Sequence, residues 1–265
     1  MRSNNMKKNR RTLRTVLCAL LVSIGLGNCT NDDYLIDGGT STPYYDGTIW
    51  EYLNAEPQYS RYFTELVEVI KYAGMEDIFD KEDITFFAPT TQSIHSTMRY
   101  LSDYNYRIGG ARVTDIHQIK PEVWKEYLSL YIVKGRYELK DIPQMDTTAL
   151  AAYPGQAYRC YSGRPMNIGV DYGTANGVKY AGYRMLIYSY VNDVVSQDMV
   201  NAKIATCNLQ PTNGIVHVIR FIDHAFGFQK DLFVQKAIDM GIGAAPEETS
   251  AAMTTVKSNS IIKLE

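Results

Sequence analysis

The sequence predicts a single α+β domain. Three observations carry that class. Apolar residues recur at helical spacing in the first part of the chain, the pattern changes after Gly135 to runs of alternating β-branched and aromatic residues, and turn signals separate those runs. Helices followed by a sheet, in a stretch short enough for one core, give one α+β unit and not an alternating parallel one.

The elements follow in order. Thr48-x-x-Glu51 is a capping box, so a helix starts there; Pro57 interrupts it, and a longer helix begins near Ser60. In that helix Phe63, Leu66, Val67, Ile70 and Ala73 form one buried stripe, and Gly74 is free to take the left-handed conformation that closes it. Ile84-Thr85-Phe86-Phe87-Ala88 is a short buried strand stopped by Pro89. The hydroxyls of Thr90 and Thr91 are placed to cap the following turn. From Thr90 to Lys120 the pattern loosens into a turn-rich stretch with Tyr100, Tyr104, Tyr106 and Gly109-Gly110. Pro121 suits the first position of a helix whose face is Val123, Trp124, Tyr127, Leu128 and Tyr131. Strands are expected near 157–161, 165–170, 184–191, 199–206 and 215–222. Asn176-Gly177 and Asn213-Gly214 read as type I′ hairpin turns, which need positive φ at both central residues. A final helix over 230–240 uses Leu232, Phe233, Ala237 and Met240, and residues 241–265 form a tail.

The N-terminus addresses the chain. Six of the 27 Lys/Arg fall within residues 1–28, which hold no acid, so the remainder carries 21 basic against 29 acidic residues, a net of −8. A chain this acidic is a poor polyanion binder, and nucleic acid drops out as a partner. The basic stretch precedes an apolar run, Thr15–Gly27, of 13 residues, well short of the roughly 20 that cross a bilayer as a helix. It reads as a signal peptide over 1–28. Its end, Leu26-Gly27-Asn28-Cys29, resembles the lipobox of bacterial lipoproteins, although Asn28 is larger than the residue usual there. The resemblance implies cleavage before Cys29 and acylation of that residue, including palmitate; the alternative is ordinary cleavage with Cys29 left as a thiol. Asp32-Asp33 is similar to the export signal of surface lipoproteins in the Bacteroidetes, or is simply part of a solvated tether over 29–47. The expectation is a lipid-anchored protein of the outer membrane, exposed at the cell surface. With Cys18 removed and Cys29 acylated, Cys160 and Cys207 remain as a candidate disulfide, with two buried thiols as the alternative.

Three stretches together resemble the fasciclin domain: the opening helices of Thr48–Phe79, the strand and turn Ile84-Thr85-Phe86-Phe87-Ala88-Pro89-Thr90, and Leu209-Gln210-Pro211-Thr212-Asn213-Gly214-Ile215-Val216-His217-Val218-Ile219. The resemblance runs from about residue 47 to 228, within a domain set at 48–240. It implies a β-sandwich wedge with N-terminal and central helices, used for adhesion and binding and not for catalysis. Leu130-Tyr131 stands where the family often shows Tyr-His, so roles attributed to that dipeptide do not carry over. The segments 92–120 and 150–190 look longer than the family norm. His217 alternates with Val216 and Val218 and is expected as a buried imidazole bonded to a nearby backbone group or hydroxyl, ahead of a ligand or catalytic role.

Reactive constellations are absent from the sequence. The four histidines (His95, His117, His217, His224) show no metal-ligand spacing, and no nucleophile elbow or phosphate loop occurs, so neither metal nor cofactor is expected and the protein is read as a non-enzyme. Tyrosine is the outlier, with 21 against 8 Phe and 2 Trp. Most of these rings suit sheet faces; the remainder form a candidate binding surface of Tyr100, Tyr104, Tyr106, Tyr172, Tyr180 and Tyr183. The leading expectation is therefore adhesion or contact with an extracellular or envelope protein; the alternative is glycan binding beside a polysaccharide-uptake system.

Overall fold

The computed structural model describes residues 42–55 and 62–244. The signal, Cys29, most of the tether, Pro57, Ser60 and the tail from 245 lie outside the described residues. Residues 43–47, expected as the end of the tether, run beside 210–212, with Tyr45 N–H donating to the Gln210 carbonyl (3.0 Å) and Gln210 N–H to that of Pro43 (2.7 Å).

Helix α1 (Ile49–Asn54) opens on the expected capping box, with Glu51 N–H donating to Thr48 Oγ1 (3.2 Å) and Thr48 N–H to Glu51 Oε2 (2.8 Å). Helix α2 (Thr64–Tyr72) buries Leu66, Val69 and Ile70, and Gly74 follows it at φ +63°. Helix α3 (Glu76–Lys81) arises where the sequence shows only charge runs; six residues around the single buried anchor Phe79 are too few to display a period. The largest departure is α4 (Thr91–Arg107), a 17-residue helix in place of a turn-rich stretch. Its buried face mixes Ile94, Met98 and Leu101 with Ser93, Thr97, Ser102 and Asn105, so hydrophobicity alone hides its helical spacing. Helix α5 (Pro121–Leu128) has Pro at its first position and buries Val123, Trp124, Tyr127 and Leu128. Helix α6 (Lys230–Met240) buries Phe233, Val234 and Ala237, whereas Leu232 and Met240, expected inside, are exposed.

The strands are β1 (Ile84–Ala88), β2 (Ile132–Lys134), β3 (Gln156–Arg159), β4 (Pro165–Tyr172), β5 (Arg184–Asp193), β6 (Asp198–Leu209) and β7 (Gly214–Ile219), ordered β2-β1-β7-β6-β5-β4-β3. The 12-residue β6 belongs to both halves of the sheet, and register shifts at 204–206 and 206–209 bend it between them. Beyond β3, the Val133–Cys160 bridge and the Tyr161 N–H bond to the Ile132 carbonyl (2.7 Å) tie the chain back to β2. The outcome is the wedge the fold class implies.

The two motif strands lie side by side. Strand β1 pairs in parallel with β7, Ile84 opposite Gly214 and Phe87 opposite His217. All five residues of β1 are buried. Phe86 meets Phe79 edge-on at 4.8 Å between ring centroids, and Phe87 stacks on Tyr188 of β5 at 3.9 Å. The period of two thus sends one ring toward the helices and the next into the sheet. Thr90 stands at the N-cap of α4 without a side-chain bond to the backbone, its Oγ1 3.5 Å from Ser93 Oγ, contrary to its expected capping role. Thr91 Oγ1 instead accepts from Glu65 N–H of α2 (3.3 Å).

Asn213-Gly214 is not a type I′ turn, for neither residue has positive φ. Asn213 joins three segments: Ile49 N–H donates to its Oδ1 (2.7 Å), and its Nδ2 donates to the carbonyls of Phe79 (2.9 Å) and Glu82 (3.2 Å). Gly214 is required by contact, because a Cβ there would sit 2.0 Å from the Ile84 carbonyl oxygen. Asn176-Gly177 does form the expected turn, at φ 51° and 79°, between Ala175 and Val178. The disulfide expectation is also not met: Cys160 and Cys207 are not bonded to one another. Three strand spacings of about 4.8 Å each separate β3 from β6, more than the about 7 Å between Cα atoms that a disulfide spans. Cys160 Sγ faces Ser162 Oγ at 3.1 Å instead.

His217 is the buried imidazole the sequence implies. Its Nε2 lies 2.9 Å from the Tyr137 carbonyl and Asn208 N–H donates to its Nδ1 (3.2 Å), which assigns the proton to Nε2. Burial pushes it down to about 4. His224 is pushed down to about 3 by burial alone; its Nε2 accepts from the Tyr131 hydroxyl (2.9 Å), which in turn accepts from Gly227 N–H (2.7 Å).

Two measurements check this account. Gly214→Ala is expected to lower stability by at least about 2 kcal/mol, because backbone must move, whereas Gly177→Ala, with nothing within 4 Å but a φ of 79°, loses only about 1 kcal/mol. Equal losses in urea melts would contradict the close-contact explanation. For pH, both imidazoles have folded-state values below the unfolded 6.5, so their contribution is complete above 6.5 and is lost as pH falls toward 4 and then 3. The loss amounts to up to about 1.4 kcal/mol per pH unit for each imidazole. Urea midpoints should be flat in this respect from pH 7 to 8 and fall below 6.5, with a shallower fall for His224→Gln.

Candidate functional site

The six tyrosines singled out by the sequence divide between two elements. Tyr100, Tyr104 and Tyr106 lie on α4, and Tyr172, Tyr180 and Tyr183 on the β4–β5 hairpin. On α4, Tyr100, Asp103, Tyr104 and Arg107 share one face by helical spacing. The chain then reverses. Gly109 takes φ +92°, Gly110 N–H donates to the Asn105 carbonyl (2.8 Å), and Asn105 Nδ2 donates to that of Ala111 (2.6 Å). A Cβ at Gly110 would strike the Asn105 side chain at 2.6 Å, so this fold-back needs glycine. It returns Arg112 to the helix, where its Nη1 meets Asp103 Oδ1 at 2.7 Å and its guanidinium lies 4.5 Å from the Tyr106 ring centroid.

The result is an open cleft of about 400 Å³ lined by Tyr100, Asp103, Tyr106, Arg107 and Arg112. Tyr106 is 58% exposed. Tyr100 and Tyr104 are half-buried and pack on the core. Tyr100 is fixed by its hydroxyl bond to Asp231 Oδ1 (2.5 Å), which raises its phenol, and Arg107 stands 5.7 Å over the Tyr104 ring.

The hairpin is built differently. Tyr180 sits at φ +65°, a region costly for a residue with a Cβ. Its hydroxyl donates to Asp146 Oδ2 (2.9 Å) and its ring meets Tyr153 edge-on at 5.3 Å. The hydroxyls of Thr148 and Tyr180 and the Thr148 backbone hold the Asp146 carboxyl below its usual value. Tyr172 lies beneath Arg184, at 5.2 Å, and Tyr183 is 71% exposed. Tyr180 and Tyr172 are therefore positioned mainly by internal bonds, and Tyr183 presents its ring to solvent.

Nothing in the sequence singled out a further exposed group. Val195 (93% exposed) and Val194 stand in the β5–β6 turn, and Phe221 and Ile222 (70% exposed) in the short turn that leaves β7. The two turns are spaced along β6: Arg220 N–H donates to the Lys203 carbonyl partway along the strand, and Val194 and Val195 precede its start at Asp198. The available signal was a pair of β-branched residues inside a turn bounded by Asp193 and Asp198.

Titratable side chains gather in a second depression of about 160 Å³ among Glu65, Glu68, His95, Met98 and Asp115. His95 Nε2 bonds Glu65 Oε1, and His117 Nδ1 lies 2.7 Å from Asp115 Oδ1 and 3.9 Å from Glu68 Oε1. Backbone and ring bonds from His117 hold the Asp115 carboxyl below its usual value. These are pairwise contacts; among the described residues no three His, Cys, Asp or Glu are arranged to hold a metal ion. Among the same residues no helix is long and apolar enough to cross a membrane.

A search of curated proteins finds no relative. Among solved structures, the chain is similar to a domain pair from the insect cell adhesion molecule fasciclin I, at 13% identity and a TM-score of 0.46, over 71% of this chain and 52% of that one. The chain thus corresponds to about half the length of that structure. Residues 61–222 match the fasciclin domain family, a span that holds all seven strands and both motif strands. The chain belongs to the fasciclin domain family.

Proposed function

We propose that this protein is a non-catalytic binding protein, anchored by lipid at Cys29 to the outer membrane and facing outward, whose fasciclin domain makes adhesive contact with an extracellular or envelope protein. The observation that carries the contact is the exposure of apolar side chains in two turns, Val194 and Val195 between β5 and β6 and Phe221 and Ile222 after β7. Aliphatic and aromatic groups left in water by a domain with a full core are a usual mark of a protein interface. The anchor is supported by Leu26-Gly27-Asn28-Cys29 behind a basic, apolar leader, and two or more acyl chains give durable attachment without a spanning helix. The adhesive role of the insect protein in the structural comparison is consistent with this reading.

A second reading, glycan capture, is favoured by the α4 cleft, whose aromatic rings and guanidinium forks suit a polar ring better than an apolar protein surface.

Adhesion and anchoring are separable by experiment. A strain carrying Val195→Asp with Ile222→Asp should export and fold the protein normally but attach at least about tenfold less well than wild type; unchanged attachment would remove these two turns as the contact surface. A palmitate analogue should label the wild-type chain and not Cys29→Ala, and label retained by the variant would remove the anchor.

A further inference from the structure

We infer that the cleft at the C-terminal end of α4 is a subsite for a carboxylate-bearing sugar ring, a uronic acid within an acidic polysaccharide. The inference rests on the second reading above, glycan capture, and narrows it to one chemical class. Two guanidinium groups, Arg107 and Arg112, line a cleft that also holds Tyr100 and Tyr106, on a domain whose chain beyond the leader is strongly acidic. Of the charges in the lining, Asp103 is offset by Arg112, which leaves the Arg107 guanidinium as the positive excess and favours an anion at this spot. Arg112 covers one face of the Tyr106 ring, and the ring's exposed remainder offers a pyranose an aromatic surface for its C–H face while its carboxylate reaches Arg107.

The two arginines are not equivalent. Arg112 is already paired with Asp103, which fixes its fork against Tyr106. Among the described residues Arg107 is in no ion pair with a carboxylate; it is the group left to form a bidentate pair with a ligand carboxylate, as its planar fork allows. Tyr100, locked by Asp231, supplies a fixed wall whose position costs little further ordering on binding.

The size of the cleft suits a saccharide. A protein partner needs roughly 800 Å² of contact on each side, whereas a cleft of about 400 Å³ falls in the range of about 300–1,000 Å³ that small ligands occupy. One or two sugar rings fit that space.

The test is calorimetric binding to the full chain in detergent micelles, at 0.15 M salt, of galacturonate and mannuronate hexamers, their methyl esters, neutral cello-oligosaccharide and hexaglutamate. The expected result is binding of a uronate hexamer, at least tenfold weaker for its methyl ester, and lost at least tenfold in both Arg107→Gln and Tyr106→Ala with unchanged thermal unfolding. Binding that is equal for ester and acid, or for the neutral oligosaccharide, overturns the carboxylate subsite while leaving glycan capture in place. No binding of any saccharide overturns both, and equal binding of hexaglutamate overturns the choice of a sugar.

Discussion

The parallel seam between β1 and β7 is the constraint on which the rest of the structure depends. Two strands from opposite ends of the domain pair in register from Ile84–Gly214 to Ala88–Val218, and every other strand is placed outward from them. The seam closes only because Gly214 has no side chain to hold the Ile84 carbonyl away. Immediately before it, Asn213 binds the start of α1 and the end of α3 in one side chain, so the helical layer is fixed to the sheet at its central pair. A little further on, His217 bonds Asn208 at the bend of β6 and the Tyr137 carbonyl, which ties the seam to the strand that both halves of the sheet share. Three residues within five positions therefore position helices, seam and bend. Such contacts are remote in sequence, which puts their loop-closure cost ahead of their reward.

Much of this architecture is legible in the sequence, and the failures have identifiable causes. The capping box at Thr48, Pro121 at a helix start, and Gly74 after α2 are local devices whose meaning does not depend on distant residues, and each is found in place. Asn213-Gly214 shows the opposite case. The same dipeptide is a true hairpin turn at 176–177, where positive φ is needed, and at 213–214 serves a side-chain clamp and a backbone approach. Only the position of β1 distinguishes the two, and that is a tertiary fact. Helix α4 is obscured for another reason: half of its buried face is small or polar, satisfied by bonds such as Thr97 Oγ1 to the Phe226 carbonyl (2.8 Å) that no hydrophobic pattern reveals. The disulfide expectation rested on an expected exported compartment, and strand order keeps Cys160 and Cys207 apart.

The binding surface was half legible. Tyrosine content marks rings, and Tyr106 and Tyr183 are exposed, but Tyr100 and Tyr180 have their hydroxyls committed to Asp231 and Asp146. Their partners come from α6 and from the loop after β2, so a list of tyrosines could not separate rings that face solvent from rings that build its walls. The arginines were invisible for a similar reason. Arg112 reaches Tyr106 through the reversal at Gly109-Gly110 and not through helical spacing, and the clamp of Asn105 that makes that reversal is itself buried.

The placement of these surfaces relative to the seam has a physical consequence. The residues of the α4 cleft, the β4–β5 hairpin and the β5–β6 turn contribute none of the hydrogen bonds made by Asn213 or His217 and none of the β1–β7 register. Substituting Arg107, Tyr183 or Val195 removes no core volume and leaves no buried polar group unpaired, the two mechanisms behind large losses of stability. At the seam a change does one or the other or, as at Gly214, forces backbone apart. The domain is thus divided into a part where sequence is constrained by closeness of backbone and a part where substitutions leave the core intact. In the second part Tyr180 is the informative exception: its strained backbone persists because Asp146 and Tyr153 hold it, so the hairpin tip keeps a defined shape instead of the freedom its exposure would otherwise allow. A surface loop that accepts local strain to remain ordered loses less entropy when something binds it, so under the proposed reading the ordered tip, like the α4 cleft, is suited to binding at little entropic cost.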